Sequence, residues 1–414
     1  MIDLSEDQES ARGEILAALL FGERQLVLSG PAGSGKTTLM RQLLADIEAM
    51  GRPVRLVAPT GKAAARLAEL TGRTATTIHS PLYREIRETV DDKGNKTGGV
   101  EFADPKAIAS GGGVIICDEA SMVGRRIYAD LLIQLPVSVA LLCVGDREQL
   151  EPVGDSWGAN FNAPTALLTA IHRQAADSPI IQLATALRTG QAWRAVRPTT
   201  AGYRVQSATV EQAASWLALE RGLGADATLL CYTNRLRQSC NAQVRAMRGL
   251  EGNIAVGDMI VCTRNAYNLA LMNGEVRQVA DFEPIEESGG ELVTVRWAEG
   301  GTAKPILAPA TLAKGMAPPE LDRLEALCDR IDDDSDSFDV FERGRLKKRL
   351  LQAEYGEALT VHKSQGSQWT SVGVLFDAAF AGAEERDGAA FRRLLYTAIT
   401  RAKSDLVLFD VGRA

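Results

Sequence analysis

The chain has 414 residues, 45% hydrophobic and 24% charged, the balance of an ordinary globular protein with room for about two to four domains. Its 46 basic and 53 acidic residues leave a net charge of −7, which argues against an all-over basic surface for nucleic acid, although a local groove can still be basic. No run approaches the ~20 apolar residues of a membrane span, and the opening MIDLSEDQES lacks the basic and apolar regions of a signal peptide, so a cytoplasmic protein is expected.

The first 25 residues carry LSEDQ and then an amphipathic helix pattern over about Glu6–Phe21. Gln8 can fold back beside a nucleotide base, because a carboxamide donates to and accepts from one adenine edge. Spacing alone leaves it equally a solvated residue of a first helical turn. The apolar run Gln25–Ser29 then leads into GPAGSGKTT, Gly30–Thr38, and a helical pattern from Lys36 to about Met50. Strand, Gly-rich turn and helix are the context that gives G-x-x-x-x-G-K-[ST] its meaning. Gly30, Gly33 and Gly35 let the backbone wrap a polyphosphate, Ser34 and Thr38 flank it, Lys36 brings a point charge, and Thr37 is placed to ligate Mg²⁺.

A second buried strand, Val54–Ala58, ends in PTGKAAARL, which places Pro59, Thr60 and Lys62 at a strand's C-terminal edge, where open α/β sheets bind ligands. TTIHS follows, with Thr77 and His79; on its own such a histidine is structural. Residues 83–102 read as a polar β-ribbon turning at Asp91–Asn95, with Phe102 near its base as packing or wedge. Val114–Ile116 is an apolar strand ending in CDEAS. There Asp118 can hold Mg²⁺ through water and Glu119 can deprotonate an attacking water. Another strand, Val139–Val144, ends in GDREQLEPVG, where the Gln149 amide can sense a γ-phosphate beside Asp146. Arg173, in HRQ, is an ordinary surface arginine unless a later pattern recruits it.

Strand–helix alternation restarts near residue 180 with Thr228–Tyr232, Met259–Cys262, Leu359–Val361, Val372–Phe376 and Leu406–Phe409, but without a second phosphate loop. An insertion over about Glu275–Tyr355 reads as a small β-barrel or meander followed by two helices, Pro318–Arg330 and Phe341–Glu354, around the acidic loop DDDSDSFD. The cysteines, Cys117, Cys143, Cys231, Cys240, Cys262 and Cys328, are scattered and read as buried reduced thiols. The histidines His79, His172 and His362 are too dispersed to form a metal cage.

The motifs GPAGSGKT, APTGKAA, TIHS, CDEAS, GDREQLEPV, HRQ, TVHKSQG and YTAITRA occur in the order of the superfamily 1 helicase motifs, and the chain most resembles the RecD/Dda group, the 5′→3′ branch. The resemblance runs from Gln8 to Arg401. It implies two RecA-like P-loop cores: 1–82 with 103–178, and 179–274 with 356–414. A β-hairpin pin at 83–102 would interrupt the first, and an SH3-like β-barrel with a helical part at 275–355 the second. It implies an ATP-dependent DNA helicase, with a non-unwinding single-stranded-DNA-stimulated translocase as the alternative. ATP and Mg²⁺ are the implied cofactors.

By the same resemblance Gln8 falls at the adenine-sensing position, and Lys36, Thr37, Asp118 and Glu119 match the phosphate, metal and water-activating positions. Gln149 matches the γ-phosphate sensor, and Arg173 and Arg401 the two arginines that complete the site. Pro59, Thr60, Lys62, Thr77 and His79 on the first core, and Thr360, His362 and Lys363 on the second, match DNA-contacting positions, with Phe102 a pin contact. Many members carry Glu where this chain has Gln368, so altered contact with the nucleotide sugar is expected. The implied partners are single-stranded DNA and single-strand/duplex junctions, with single-strand-binding and replication or recombination proteins beyond them. A monomer with no membrane association is expected.

Overall fold

The computed structural model describes residues 3–79, 83–90, 96–105, 113–152, 154–171, 177–191, 194, 196, 202–262, 274–285, 292–300, 302–307 and 353–411, with strands 83–90, 96–105 and 302–307 described by their backbone. The described chain divides into two compact units, residues 1–197 with 389–400, and residues 198–388 with 401–414. The expected helix at 318–330, with Cys328, and residues 341–352 of the expected second helix lie outside the described residues, while residues 353–354 at that helix's end belong to a β-strand instead.

The first unit is a parallel sheet wrapped by helices. Helix α1 (Glu6–Leu20) starts at a capping box: the Ser5 hydroxyl accepts from the Gln8 amide at 3.3 Å, and Gln8 Oε1 accepts from the Ser5 amide at 3.0 Å. Strand β1 (Gln25–Ser29) is followed by α2 (Lys36–Ala49), β2 (Val54–Ala58), α3 (Gly61–Thr71) and β3 (Ala75–Thr77). An antiparallel ribbon, β4 (Tyr83–Val90) and β5 (Lys96–Pro105), precedes β6 (Gly113–Cys117), α4 (Arg125–Gln134), β7 (Val139–Gly145), β8 (Ala166–Leu167) and α5 (Pro179–Arg188). The sequence reading gave residues 179–188 to the second core, whereas α5 belongs to this unit.

The sheet order is β3-β2-β6-β7-β1-β8, every pairing parallel. Strands β6 and β7 are buried throughout, the continuous apolar pattern of strands covered on both faces. Alternate residues divide between the faces: Leu26, Leu28, Ile116 and Leu142 pack with Ile15 of α1 and Leu39, Leu43 and Ile47 of α2. Val27, Ile115, Leu141 and Cys143 pack with Leu131 of α4 and Phe161.

The second unit repeats the plan. It contains β9 (Tyr203–Ser207), α6 (Val210–Gly222), β10 (Ala227–Cys231), α7 (Asn234–Met247), β11 (Met259–Cys262), β12 (Val276–Pro284), β13 (Leu292–Trp297), β14 (Thr302–Leu307), β15 (Ala353–Tyr355), β16 (Ala358–Thr360), β17 (Trp369–Phe376), α8 (Ala378–Arg386) and β18 (Ala402–Asp410). One sheet, β16-β10-β17-β18-β9, is parallel; the other, β14-β13-β12-β11-β15, is antiparallel. The antiparallel sheet therefore reaches outside the inserted segment, taking β11 as a member. Cys117, Cys143, Cys231, Cys240 and Cys262 are buried free thiols.

Helix α9 (Gly388–Ile399) follows α8 in sequence, yet residues 389–400 belong to the first unit. The physical reason lies in its side chains: Tyr396 and Thr397 hydrogen-bond loops at the end of the first sheet. Arg393 Nη1 pairs with Glu151 at 2.5 Å, and its guanidinium lies 4.8 Å over the Trp157 ring.

Charge is buried in the second unit in matched sets. Glu357, fully buried, pairs with Arg221 of α6 and with Arg248 just past α7, and Asp258 pairs with Arg245 at 2.7 Å. Arg221 and Arg248 retain side-chain exposures of 15% and 24%, so their isolation would be partly relieved by water. Glu357→Ala is expected to destabilise the second unit by about 3 kcal/mol, the low end for breaking a buried pair. Urea unfolding followed by circular dichroism checks this.

Candidate nucleotide and nucleic-acid site

The C-terminal edge of the first sheet carries one chemical feature per strand. β1 opens into the phosphate loop, where Gly33 and Gly35 take φ of 82° and 76°, a region that strains any side chain. At Gly30 an added Cβ would lie 2.7 Å from Ser34 Oγ and 2.9 Å from Leu168 Cβ, so the backbone approach itself demands glycine. Ser34 is buried and donates to Pro31 O at 2.8 Å. Lys36 Nζ donates to Gly30 O at 2.6 Å and Pro31 O at 3.0 Å, which curls the lysine over its own loop. Helix α2 begins at Gly35 without a side-chain cap, leaving its first amides, over Lys36, Thr37 and Thr38, as an anion cradle. Gln8 is buried against this loop: its Nε2 donates to Gly35 O at 3.1 Å, so the residue is part of the cradle wall rather than a solvated first-turn side chain.

Two strands away, β6 delivers Asp118 and Glu119. Burial, reinforced by the Glu119 charge and opposed by Lys36 and Arg66, pushes the Asp118 carboxyl up to about 6. Glu119 has φ of 50°, the one positive value at a non-glycine among the described residues, and such strain collects at functional sites. Between them β7 delivers Asp146 and Gln149. Gln149 is only 6% exposed, and its Oε1 is buried with no hydrogen-bond partner among the described residues. Orphaned buried acceptors are rare, and this one follows the strand that lies between the phosphate-loop strand and the acidic-pair strand, so the residues fit a nucleotide with an attacking water.

On the other side of β6 lie β2 and β3. Thr60 caps α3, its hydroxyl accepting from the Ala63 amide at 3.2 Å, and Pro59 and Lys62 flank it, half-buried. Thr77 is buried with no partner for its hydroxyl among the described residues, and burial lowers the His79 pKa to about 4, leaving a neutral imidazole at pH 7. The strand order thus groups Gln149, Asp118 and Glu119 around the phosphate loop, with the nucleic-acid candidates next along the edge.

In the second unit, β16 ends at Thr360, whose hydroxyl accepts from the Lys363 amide at 3.3 Å. Lys363 Nζ bonds Glu354 Oε2 at 2.9 Å, and Arg237 Nη2 meets the same oxygen at 2.8 Å. His362 is half-buried, its pKa lowered by burial. Arg401 is 3% exposed and donates to Ser367 O at 3.2 Å, next to half-buried Gln368, and its carbonyl accepts from the Trp369 amide. Arg173 lies outside the described residues, and of Phe102 only the backbone is described: it pairs with Ile86, in the base half of the ribbon and away from its turn. Motif reading passed over Glu354 and Tyr396; Tyr396 stood inside YTAITRA, but only its partners reveal its role.

A phosphate loop, an acidic pair and a sensor amide on neighbouring parallel strands define a P-loop nucleotide-binding protein. A family model described as an AAA domain matches residues 3–210, and one described as a UvrD-like helicase C-terminal domain matches 355–409. The chain is 31% identical over 434 residues to the ATP-dependent RecD2 DNA helicase of Deinococcus radiodurans, a match covering 99% of this chain and 49% of that protein. It is 26% identical over 317 residues to the ATP-dependent DNA helicase dda of Enterobacteria phage T4, covering 72% of this chain and 68% of that one. The chain thus spans about half the length of the Deinococcus relative. In fold it is like the Pif1 helicase from Bacteroides in complex with ADP-AlF3 and ssDNA, with a TM-score of 0.54 at 17% identity over 99% of this chain and 93% of that one. The chain belongs to the RecD/Dda group of superfamily 1 helicases.

Asp118 binds its proton near pH 6 when folded and near 3.8 when unfolded, so its contribution to stability falls as pH rises from about 4 to 6 and is flat above. Asp118→Asn is expected to raise the melting temperature at pH 7 and to flatten its pH dependence between 4 and 6. Thermal unfolding without added metal, at several pH values, checks this.

Proposed function

We propose that the chain is an ATP-dependent DNA helicase that moves 5′→3′ along single-stranded DNA and opens duplex ahead of it. The observation that carries this reading is the edge of the first sheet, where β1, β7 and β6 supply the phosphate loop, the orphaned Gln149 Oε1 and the acidic pair. The adjoining strands β2 and β3 end in a second polar set suited to a polymer.

In this reading the loop amides and Lys36 hold the phosphates, Gln8 lies by the base and Gln368 by the sugar. Thr37 and Asp118 would hold Mg²⁺, which when bound neutralises charge on the phosphate oxygens. Glu119 accepts the proton of the attacking water, and Gln149 Oε1 orients that water by accepting its other hydrogen. Arg173 and Arg401 stabilise the transition state, a role worth ~10³–10⁵ in rate in GTPases. Pro59, Thr60, Lys62, Thr77 and His79, with Thr360, His362 and Lys363, contact the DNA strand; neutral His79 does so by hydrogen bonding or stacking rather than charge. Directed stepping follows if each nucleotide state favours a different grip, since a ligand shifts an equilibrium only through differential affinity.

The β4–β5 ribbon serves as the strand-separating pin, with Phe102 a supporting contact, and the antiparallel sheet of the second unit is the SH3-like accessory domain. The protein works as a cytoplasmic monomer beside single-strand-binding and replication or recombination proteins. Among the described residues no helix is long and apolar enough to cross a membrane.

ATP-driven opening of matched duplexes with a 5′ or a 3′ single-stranded tail tests the reading. The 5′-tailed duplex alone is expected to open. Lys36→Ala should abolish opening, and Glu119→Gln should slow hydrolysis by ~10²–10⁴, the range for a general base. Opening of the 3′-tailed duplex alone would reverse the polarity. DNA-stimulated hydrolysis with neither duplex opened would replace the helicase by a translocase.

A further inference from the structure

The segment YTAITRA carries Arg401, but its tyrosine lies five residues earlier, within α9, and points into the phosphate-loop unit. We infer that Tyr396 is a positioning residue for hydrolysis: its hydroxyl ties the phosphate loop to the sensor loop and acts through Gln149. The inference rests on the ATPase reading above and extends it to a residue that touches neither phosphate nor water.

The hydroxyl is a two-way junction. It accepts from the Ala32 amide of the phosphate loop at 2.9 Å and donates to Asp146 Oδ2 at 2.6 Å. Tyr396 is 2% exposed and Asp146 1% exposed, so the bond between them is shielded from bulk water, while the Ala32 end of the junction is half-buried. A buried tyrosine hydroxyl is satisfied by one acceptor, yet this one joins the two loops that the chemistry must hold in register.

Asp146 passes the constraint on. Its Oδ1 accepts from the Glu148 amide at 3.0 Å, and its backbone carbonyl accepts from the Gln149 amide at 3.2 Å. One residue beyond Gln149, the Leu150 amide donates to Thr397 Oγ1 at 3.0 Å. Gln149 therefore lies between Asp146 and Leu150, which are pinned to Tyr396 and Thr397, consecutive positions of α9. Burial raises the Asp146 pKa, while Lys36 and the Tyr396 hydroxyl work against that rise. The hydroxyl thus also helps keep the carboxylate in the accepting form that both bonds require.

Tyr396→Phe keeps the ring and its packing. It removes the shared partner of the half-buried Ala32 amide and of buried Asp146 Oδ2, and the carboxylate oxygen can be satisfied again only if the loops shift. Small displacements near the reacting atoms cost rate more than binding: a shift of ~1 Å can cost about 10²-fold.

The test is steady-state ATP hydrolysis by the full chain with saturating single-stranded DNA, comparing wild type, Tyr396→Phe, Gln149→Ala and the double variant. For Tyr396→Phe, kcat is expected to fall about tenfold while KM for ATP stays within about threefold and the melting temperature moves little. In the Gln149→Ala background the same change is expected to cause no further loss, because the hydroxyl acts through the residue already removed. Wild-type kcat in Tyr396→Phe, or an undiminished loss in the Gln149→Ala background, would overturn the inference and leave the ATPase reading intact. No hydrolysis by wild type would overturn both.

Asp146→Asn approaches the same junction from the other side and serves if Tyr396→Phe does not fold. An amide has one acceptor oxygen for the two donors, Glu148 N–H and Tyr396 O–H. The same loss of kcat, absent in the Gln149→Ala background, is expected, and additivity would overturn the inference.

Discussion

The pairing of β1 with β7, which brings Ser29 opposite Gly145, is the contact on which the first unit's chemistry depends. The Gly30 amide donates to Gly145 O at 3.2 Å, so the phosphate loop and the sensor loop leave the sheet side by side. A slip of one residue would turn Leu26 and Leu28 from one apolar layer to the other and carry Lys36 away from Asp146 and Asp118. The buried runs of β6 and β7 forbid that slip, because every residue on them already has a place in one layer or the other. Hydrophobic register sets the geometry of this sheet edge, and the polar groups inherit it.

Electrostatics follow the same economy of placement. The chain is acidic overall, yet its informative charges are local and paired: Lys36 beside loop carbonyls, Lys363 and Arg237 on one Glu354 oxygen, and Glu357 between two arginines. Net charge describes neither arrangement. Polar residues collect instead at the edge of each parallel sheet, where Thr60, Thr77 and Thr360 follow or end strands.

Much of this was legible before any coordinates. Loop glycines, the strand-terminal Asp118–Glu119 and the Gln149 amide announce themselves because each sits at a fixed offset from an apolar run, and a strand followed by a helix leaves few places for such residues to go. Parallel strands also made the C-terminal edge predictable. What spacing could not reveal was partnership over long separations. Tyr396 finds Asp146 and Ala32 across some 250 and 364 residues, and no periodicity encodes that. For the same reason α9 read as part of the second α/β unit, since its neighbours in sequence, α8 and β18, are there. Glu354 escaped notice because a glutamate near a strand end is ordinary until a lysine and an arginine are found on it.

The two units are interleaved along the chain, which passes from the first to the second at residue 197, returns at 389 and leaves again after 400. During synthesis the amino-terminal unit therefore cannot close its own interior when its last strand emerges. The phenol that anchors Ala32 and the hydroxyl that holds Leu150 are made only after about 230 further residues. Proteins generally fold domain by domain as they are synthesised. Here the nucleotide-binding half must wait for a segment embedded in the other half's stretch of chain, so it is not a separable amino-terminal module, and its phosphate loop gains its full set of partners only when the second unit's connection has also been laid down.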